Sequence, residues 1–171
     1  METAILSSEW GIALAIAGAA LAAILGGFGS IIGVGLVGKA GAGVTTERPE
    51  TFGKILLLEA LPGTQGIYGF LGAFLLLNFF KFSGDGAVFI TTVTGLKIFF
   101  ASAPLALTGF LSGIYQGRVA AAGLNIVAKN PQDVGKAVIL AAMVETYAIL
   151  GLLITILLFL NIQAGLTPLA G

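Results

Sequence analysis

The sequence predicts an all-α membrane protein of four transmembrane helices, built as two tandem duplicated hairpins. Three observations predict it. The 171 residues are 57% hydrophobic and only 9% charged, with a mean hydropathy of +1.06, whereas about 25% of residues in a soluble domain carry charge. The charges fall in clusters that leave four apolar stretches between them, each at or above the roughly 20 residues that cross a hydrocarbon core about 30 Å thick. The second half of the chain also repeats the first.

The first stretch, residues 10–38, follows a segment with no basic residue and is too long for the h-region of a signal peptide, so it is expected to stay in the membrane. The second covers 55–80, the third 98–117 and the fourth 137–160. Residues 39–54 and 118–136 are expected to be the loops of two hairpins, with Pro49 and Pro131 marking helix boundaries. A shift of 82 positions superposes the hairpins without a gap. It pairs Gly27-Phe28 with Gly109-Phe110, Ala40-Gly41 with Ala122-Gly123, Pro49 with Pro131, Gly53-Lys54 with Gly135-Lys136, Thr64 with Thr146, and Gly69 with Gly151. A tandem duplication accounts for this, with units 1–82 and 83–171. Six of the eight basic residues (Lys39, Arg48, Lys54, Arg118, Lys129, Lys136) lie in or beside the two loops, while Glu2, Glu9 and Asp85 lie on the other side. The positive-inside rule then makes the loops cytoplasmic and puts both termini, with the short 81–86 connection, outside the cell membrane.

Several function classes drop out. Eight basic and eight acidic groups cancel, so no basic stripe exists to hold nucleic acid. With neither cysteine nor histidine, thiolate chemistry, disulfides and the commonest general base and metal ligand are missing. There is no glycine-rich phosphate loop ending in Lys-Ser or Lys-Thr, so the chain does not hydrolyse nucleotides itself. Glycines 27, 29, 33, 35 and 38 in the first helix, and 109, 113 and 117 in the third, let helix backbones approach closely in lipid. Ordinary packing within one chain would use them too, but their density on both first-of-hairpin helices favours an inner layer of a homo-oligomeric ring, with helices 2 and 4 outside.

Glu145 interrupts the fourth stretch nine residues beyond Lys136, roughly 13 Å into the membrane and near its midplane. A charge there costs on the order of 2.5 to 3.5 kcal/mol even on the lenient insertion scale, so it needs a partner or a job. Helix 2 carries Leu61, Thr64, Gln65 and Tyr68 at i, i+3, i+4, i+7, on one stripe. The duplication aligns Glu145 with Gly63, which puts this stripe at the same depth. Gln116 precedes the Asn130-Pro131 turn by as many residues as Glu145 follows it, so the hairpin brings these two level. Pro62 removes one backbone hydrogen bond and would help expose carbonyl oxygens near Leu61. A proton carrier needs only a carboxylate in an apolar setting, because the proton supplies its own neutrality. A hard cation stripped of water needs several oxygens. The surplus oxygens favour sodium, with the proton alone as the alternative. Tyr68 would donate its hydroxyl to the carboxylate; the competing role is an amphipathic ring at a helix interface. Glu59 is rotated off the stripe and is not assigned to the site, and Lys97 is expected to snorkel to the outer surface.

Leu61-Pro62-Gly63-Thr64-Gln65-Gly66-Ile67-Tyr68-Gly69 and Val144-Glu145-Thr146-Tyr147-Ala148-Ile149-Leu150-Gly151 closely resemble the membrane-rotor proteolipids of bacterial V-type ATPases, the K or c subunits. The likeness covers nearly the whole chain, including Gln116-Gly117-Arg118-Val119-Ala120-Ala121-Ala122-Gly123. The resemblance implies a ring of identical subunits in lipid, turning past a stator subunit that carries an arginine. Central stalk subunits would couple that rotation to ATP hydrolysis in a soluble sector. It also implies that Glu145 binds sodium together with Thr64, Gln65, Gln116 and the carbonyl of Leu61, that Tyr68 hydrogen-bonds the carboxylate, and that Gly63 stands where a second carboxylate has been lost. Glu59, Lys97 and the longer polar outer end from Ser83 onward depart from the pattern. Rival expectations are the same rotor carrying protons and, in another class, a passive channel or structural proteolipid.

Overall fold

The computed structural model describes residues 2–82 and 88–166, with side chains from Glu9 onward. The polar outer segment from Ser83, Asp85, and the side chain of Glu2 therefore lie outside the described residues. Among the described residues five α-helices follow one another: α1 (Glu2–Glu47), α2 (Phe52–Ala60), α3 (Thr64–Phe79), α4 (Thr92–Lys129) and α5 (Val134–Ala164). Short 3-10 turns at Pro49–Thr51, Leu61–Gly63 and Pro131–Asp133 join α1 to α2, α2 to α3 and α4 to α5. Among the described residues four helical segments are long and apolar enough to cross a membrane, with α2 and α3 counting as one interrupted crossing.

The helices outrun the apolar stretches. At 38 residues, α4 is about 57 Å long at 1.5 Å per residue, well beyond a hydrocarbon core of about 30 Å. The expected loops 39–54 and 118–136 are thus mostly helical. Polar residues there end the apolar character but do nothing to end the helix, which persists until the prolines. Each proline opens a 3-10 turn, as its fixed φ and missing N–H favour. At the second tip, the Asn130 side-chain oxygen accepts from the Gln132 N–H (3.4 Å), its amide donates to Asp133 (2.9 Å), and Lys136 pairs with Asp133 at 2.9 Å. At the opposite end the Val88 N–H donates to the Lys81 carbonyl (3.0 Å), closing the link between α3 and α4.

α1 and α4 lie back to back, with α3 against α1 and α5 against α4. Glycine makes the α1–α4 contact possible: a Cβ on Gly113 would meet the Gly29 carbonyl carbon at 2.6 Å, and one on Gly29 would meet the Phe110 oxygen at 2.6 Å. The glycine set divides, however. Gly27 and Gly35 face open space, and Gly38 faces the Glu59 carboxyl rather than a helix backbone.

Two apolar clusters fill the interior. One, toward the α3–α4 link, contains Leu76, Phe80, Ile90, Ile98 and Phe159, with Phe80 and Phe159 edge to face at 5.9 Å. The other, toward the hairpin tips, contains Val37, Leu58, Ala120, Leu124, Ala137 and Ala141. Between them lies a polar layer. On the outside, α5 presents Ile139, Met143, Tyr147, Leu150 and Leu157, each more than half exposed, a surface suited to lipid or further helices and not to water.

Candidate ion-binding site

The polar layer is built around the break in the second crossing. Pro62 has no N–H to give its preceding turn, and the chain tightens into the Leu61–Gly63 3-10 turn, in which the Thr64 N–H donates to the Leu61 carbonyl. The Thr64 hydroxyl donates to the same carbonyl at 2.9 Å and lies 3.5 Å from Gln65 Oε1. Gln65 is fully buried, and its amide donates to the side-chain oxygen of Gln116, also fully buried on α4. Gln116 Nε2 in turn donates to Glu145 Oε2 on α5 (3.2 Å), and the Tyr68 hydroxyl donates to Glu145 Oε1 at 2.6 Å.

All six residues expected from the sequence, Leu61, Thr64, Gln65, Tyr68, Gln116 and Glu145, are therefore joined in one unbroken hydrogen-bonded chain across three crossings. Among the described residues no buried side-chain polar atom is left without a partner, and Glu145 is the one carboxylate in this chain of contacts. Charge-assisted bonds such as the two it accepts are about twice as strong as neutral ones. No cluster of three acidic side chains exists among the described residues, so the site offers one charge and several neutral oxygens. That donor set suits a monovalent hard cation better than a divalent one.

Glu59 and Lys97 stay outside this layer. The Glu59 carboxyl lies over Gly38 on α1, and Lys97 lies among Thr94, Asn161 and Gly165 near the outer ends of α4 and α5. One residue of the layer was not foreseen. Ser30 on α1, nearly buried, accepts a hydrogen bond from the Gly66 N–H at 2.7 Å. A serine in a glycine-rich helix carries no signal of its own.

The comparisons agree with this architecture. The family model for the ATP synthase C subunit matches twice, over residues 17–76 and 99–158. The chain belongs to this family. The displacement from 17 to 99 is the same 82 positions that superpose the two halves of the sequence, so the duplication is one of whole family units. Among curated proteins, the chain is 50% identical over 157 residues to the V-type sodium ATPase subunit K of Enterococcus hirae, covering 92% of this chain and 97% of that one. It is 44% identical over 152 residues to the A-type ATP synthase subunit K of Methanocaldococcus jannaschii, covering 89% of this chain and 64% of that longer protein. Across that 82-residue displacement, Gly63 of the first unit occupies the place that Glu145 holds in the second.

Proposed function

We propose that this chain is the rotor-ring subunit of a V-type rotary ATPase and carries sodium across the membrane by reversible binding at Glu145. The observation that supports this best is the surplus of oxygens: a proton carrier has no use for Gln65, Gln116, Thr64 and the Leu61 carbonyl gathered at the depth of one carboxylate. When the ion is bound, Glu145 supplies the neutralising charge, and the Leu61 carbonyl, Thr64 hydroxyl and Gln65 and Gln116 amide oxygens replace its water. Tyr68 holds the carboxylate in place from α3. The bound pair is neutral overall and can face lipid, whereas bare Glu145 would carry the cost of a charge near the midplane, about 2.5 to 3.5 kcal/mol.

In this reading the units 1–82 and 83–171 form one subunit of a homo-oligomeric ring. The hairpin tips face the cytoplasm, where central stalk subunits attach, and both termini face outward. A stator arginine displaces the ion as Glu145 passes. The chain itself is not catalytic; nucleotide hydrolysis belongs to the soluble sector. The sodium name of the Enterococcus hirae relative supports the choice of ion.

Modification of Glu145 by a carbodiimide in membranes containing the assembled complex tests the ion. At fixed pH, millimolar sodium is expected to slow labelling. Labelling indifferent to sodium would leave the proton as the cargo, and ATP-driven transport surviving Glu145→Gln would overturn the rotor reading altogether.

A further inference from the structure

We infer that Ser30 is a positioning residue for the cation ligands of the broken helix, acting by clamping the peptide between Gln65 and Gly66 from α1. The inference rests on the sodium reading of the site and assigns a role to a helix that contributes no ligand to it.

The peptide in question lies against α1 on both edges and is bonded to it on one. Its N–H, from Gly66, donates to Ser30 Oγ at 2.7 Å. Its carbonyl, from Gln65, lies so close to Gly26 that a Cβ there would meet the oxygen at 2.7 Å. Gly66 itself allows the approach: a Cβ on it would crowd Ser30 Oγ at 3.2 Å. One turn further along, a Cβ on Gly69 would meet the Ala22 carbonyl oxygen at 2.5 Å, so the close seating of α3 on α1 continues past this peptide.

A clamp is needed here because the helix has been interrupted. The first N–H groups after a helix start lack partners of their own, and a break at membrane depth persists only where neighbouring side chains restore the lost bonds. Ser30 does this one residue from Gln65 and two from Thr64. Fixing that peptide plane fixes the direction in which Gln65 leaves the backbone toward Gln116, and with it the spacing of Thr64 from the Leu61 carbonyl.

The duplication supplies an internal control. The 82-residue shift pairs Ser30 with Ser112, Gly66 with Ala148 and Pro62 with Val144. Ser112 is also buried, but its hydroxyl turns back to the Gly109 carbonyl of its own helix (3.5 Å). Where the following helix is unbroken, the same residue type at the same place is left to its own helix; only opposite the break does it reach across. A cation bound by neutral oxygens needs those oxygens placed within about 0.5 Å, while a proton on Glu145 makes no such demand.

The test is sodium protection of Glu145 against carbodiimide in the assembled complex, for wild type, Ser30→Ala, Ser30→Cys and Ser30→Thr. Loss of one hydrogen bond to the clamp is expected to raise the half-protecting sodium concentration about five- to tenfold in Ser30→Ala. Ser30→Cys should give a smaller shift in the same direction, and Ser30→Thr, which keeps the acceptor oxygen, should restore the wild-type value. The pH profile of labelling without sodium should not move. An unchanged half-protecting concentration in Ser30→Ala would overturn the inference while leaving the sodium site standing. So would a ring that fails to assemble in both the Ala and Cys variants, since Ser30 would then serve folding. Absence of sodium protection in wild type would remove the sodium reading, and this inference with it.

Discussion

Replacing Gln116 by leucine removes the side chain that links the two halves of the site while keeping its volume nearly constant. Gln116 accepts from Gln65 and donates to Glu145 Oε2 at 3.2 Å, and it is fully buried. On the sodium reading the variant therefore loses one cation ligand and one charge-assisted bond, and it strands the Gln65 amide in an apolar layer. A hydrogen bond to a charged group contributes about 1.5 to 3 kcal/mol, which corresponds to sodium affinity lower by roughly 10- to 150-fold. The stranded amide costs a further 1 to 3 kcal/mol or so of stability. That second penalty is separable: in Gln65→Leu combined with Gln116→Leu both partners are gone, so stability should recover relative to Gln116→Leu although sodium binding does not. Sodium-dependent protection of Glu145 and thermal unfolding in detergent measure the two quantities independently. Sodium affinity within twofold of wild type in Gln116→Leu would refute the assignment of Gln116 as a ligand, and additive stability losses in the double variant would refute the direct Gln65–Gln116 pairing.

Two further outcomes follow from the packing and the duplication. Gly33→Ala drives a Cβ into the Gly113 carbonyl of α4 and to 2.7 Å from Pro62, so it should lower stability in detergent by about 1 to 3 kcal/mol or prevent assembly; Gly38→Ala meets only the mobile end of Glu59, at 2.6 Å, and should be close to neutral. Gly63→Glu has room, since the nearest atom to its Cβ is Val34 Cγ2 at 3.9 Å, and should add a second carbodiimide-reactive carboxyl that sodium does not protect; sodium protection of both carboxyls would contradict the single-site reading.

Much of the architecture was legible because the membrane enforces it. Apolar runs of spanning length must be helices, since no water is present to satisfy an open backbone, and two prolines at matching positions fixed where the chain turns. Helix ends were not legible in the same way: residues 39–47 and 118–129 are polar or small enough to leave the bilayer, yet nothing in them stops a helix, so hydropathy placed the boundary many residues too early. At the site, the i, i+3, i+4, i+7 spacing and the turn symmetry carried enough geometry to name Leu61, Thr64, Gln65, Tyr68, Gln116 and Glu145 together. Ser30 escaped because its partner is a backbone N–H, which no side-chain pattern reveals. The destination of Glu59 also depended on its partner: only the lack of a side chain at Gly38 lets the carboxyl fold over α1.

The duplication explains why one hairpin could not build this site alone. Each residue of the site has a counterpart 82 positions away, and nearly every counterpart is of a different type: Glu145 corresponds to Gly63, Gln116 to Val34, Gln65 to Tyr147, Tyr68 to Leu150 and Pro62 to Val144. The geometry nonetheless persists. Gln116 bonds Glu145 in one place, and Val34 is the nearest neighbour of the Gly63 Cβ position in the other. The Thr64 hydroxyl donates to the Leu61 carbonyl at 2.9 Å, just as that of Thr146 donates to the Met143 carbonyl at 2.8 Å. What survives at the counterpart positions is this local bond to the backbone; the carboxylate, the amides and the Tyr68 hydroxyl have no like residue there. Removing only the carboxylate would have left Gln- and Tyr-type groups in lipid with nothing to satisfy, a standing desolvation cost for each. At the counterparts of Gln116 and Tyr68, the apolar Val34 and Leu150 remove that cost, and Tyr147, in place of Gln65, is turned to the exposed outer face; on the sodium reading, the broken helix of the first hairpin then supplies neutral oxygens while the unbroken α5 supplies the charge.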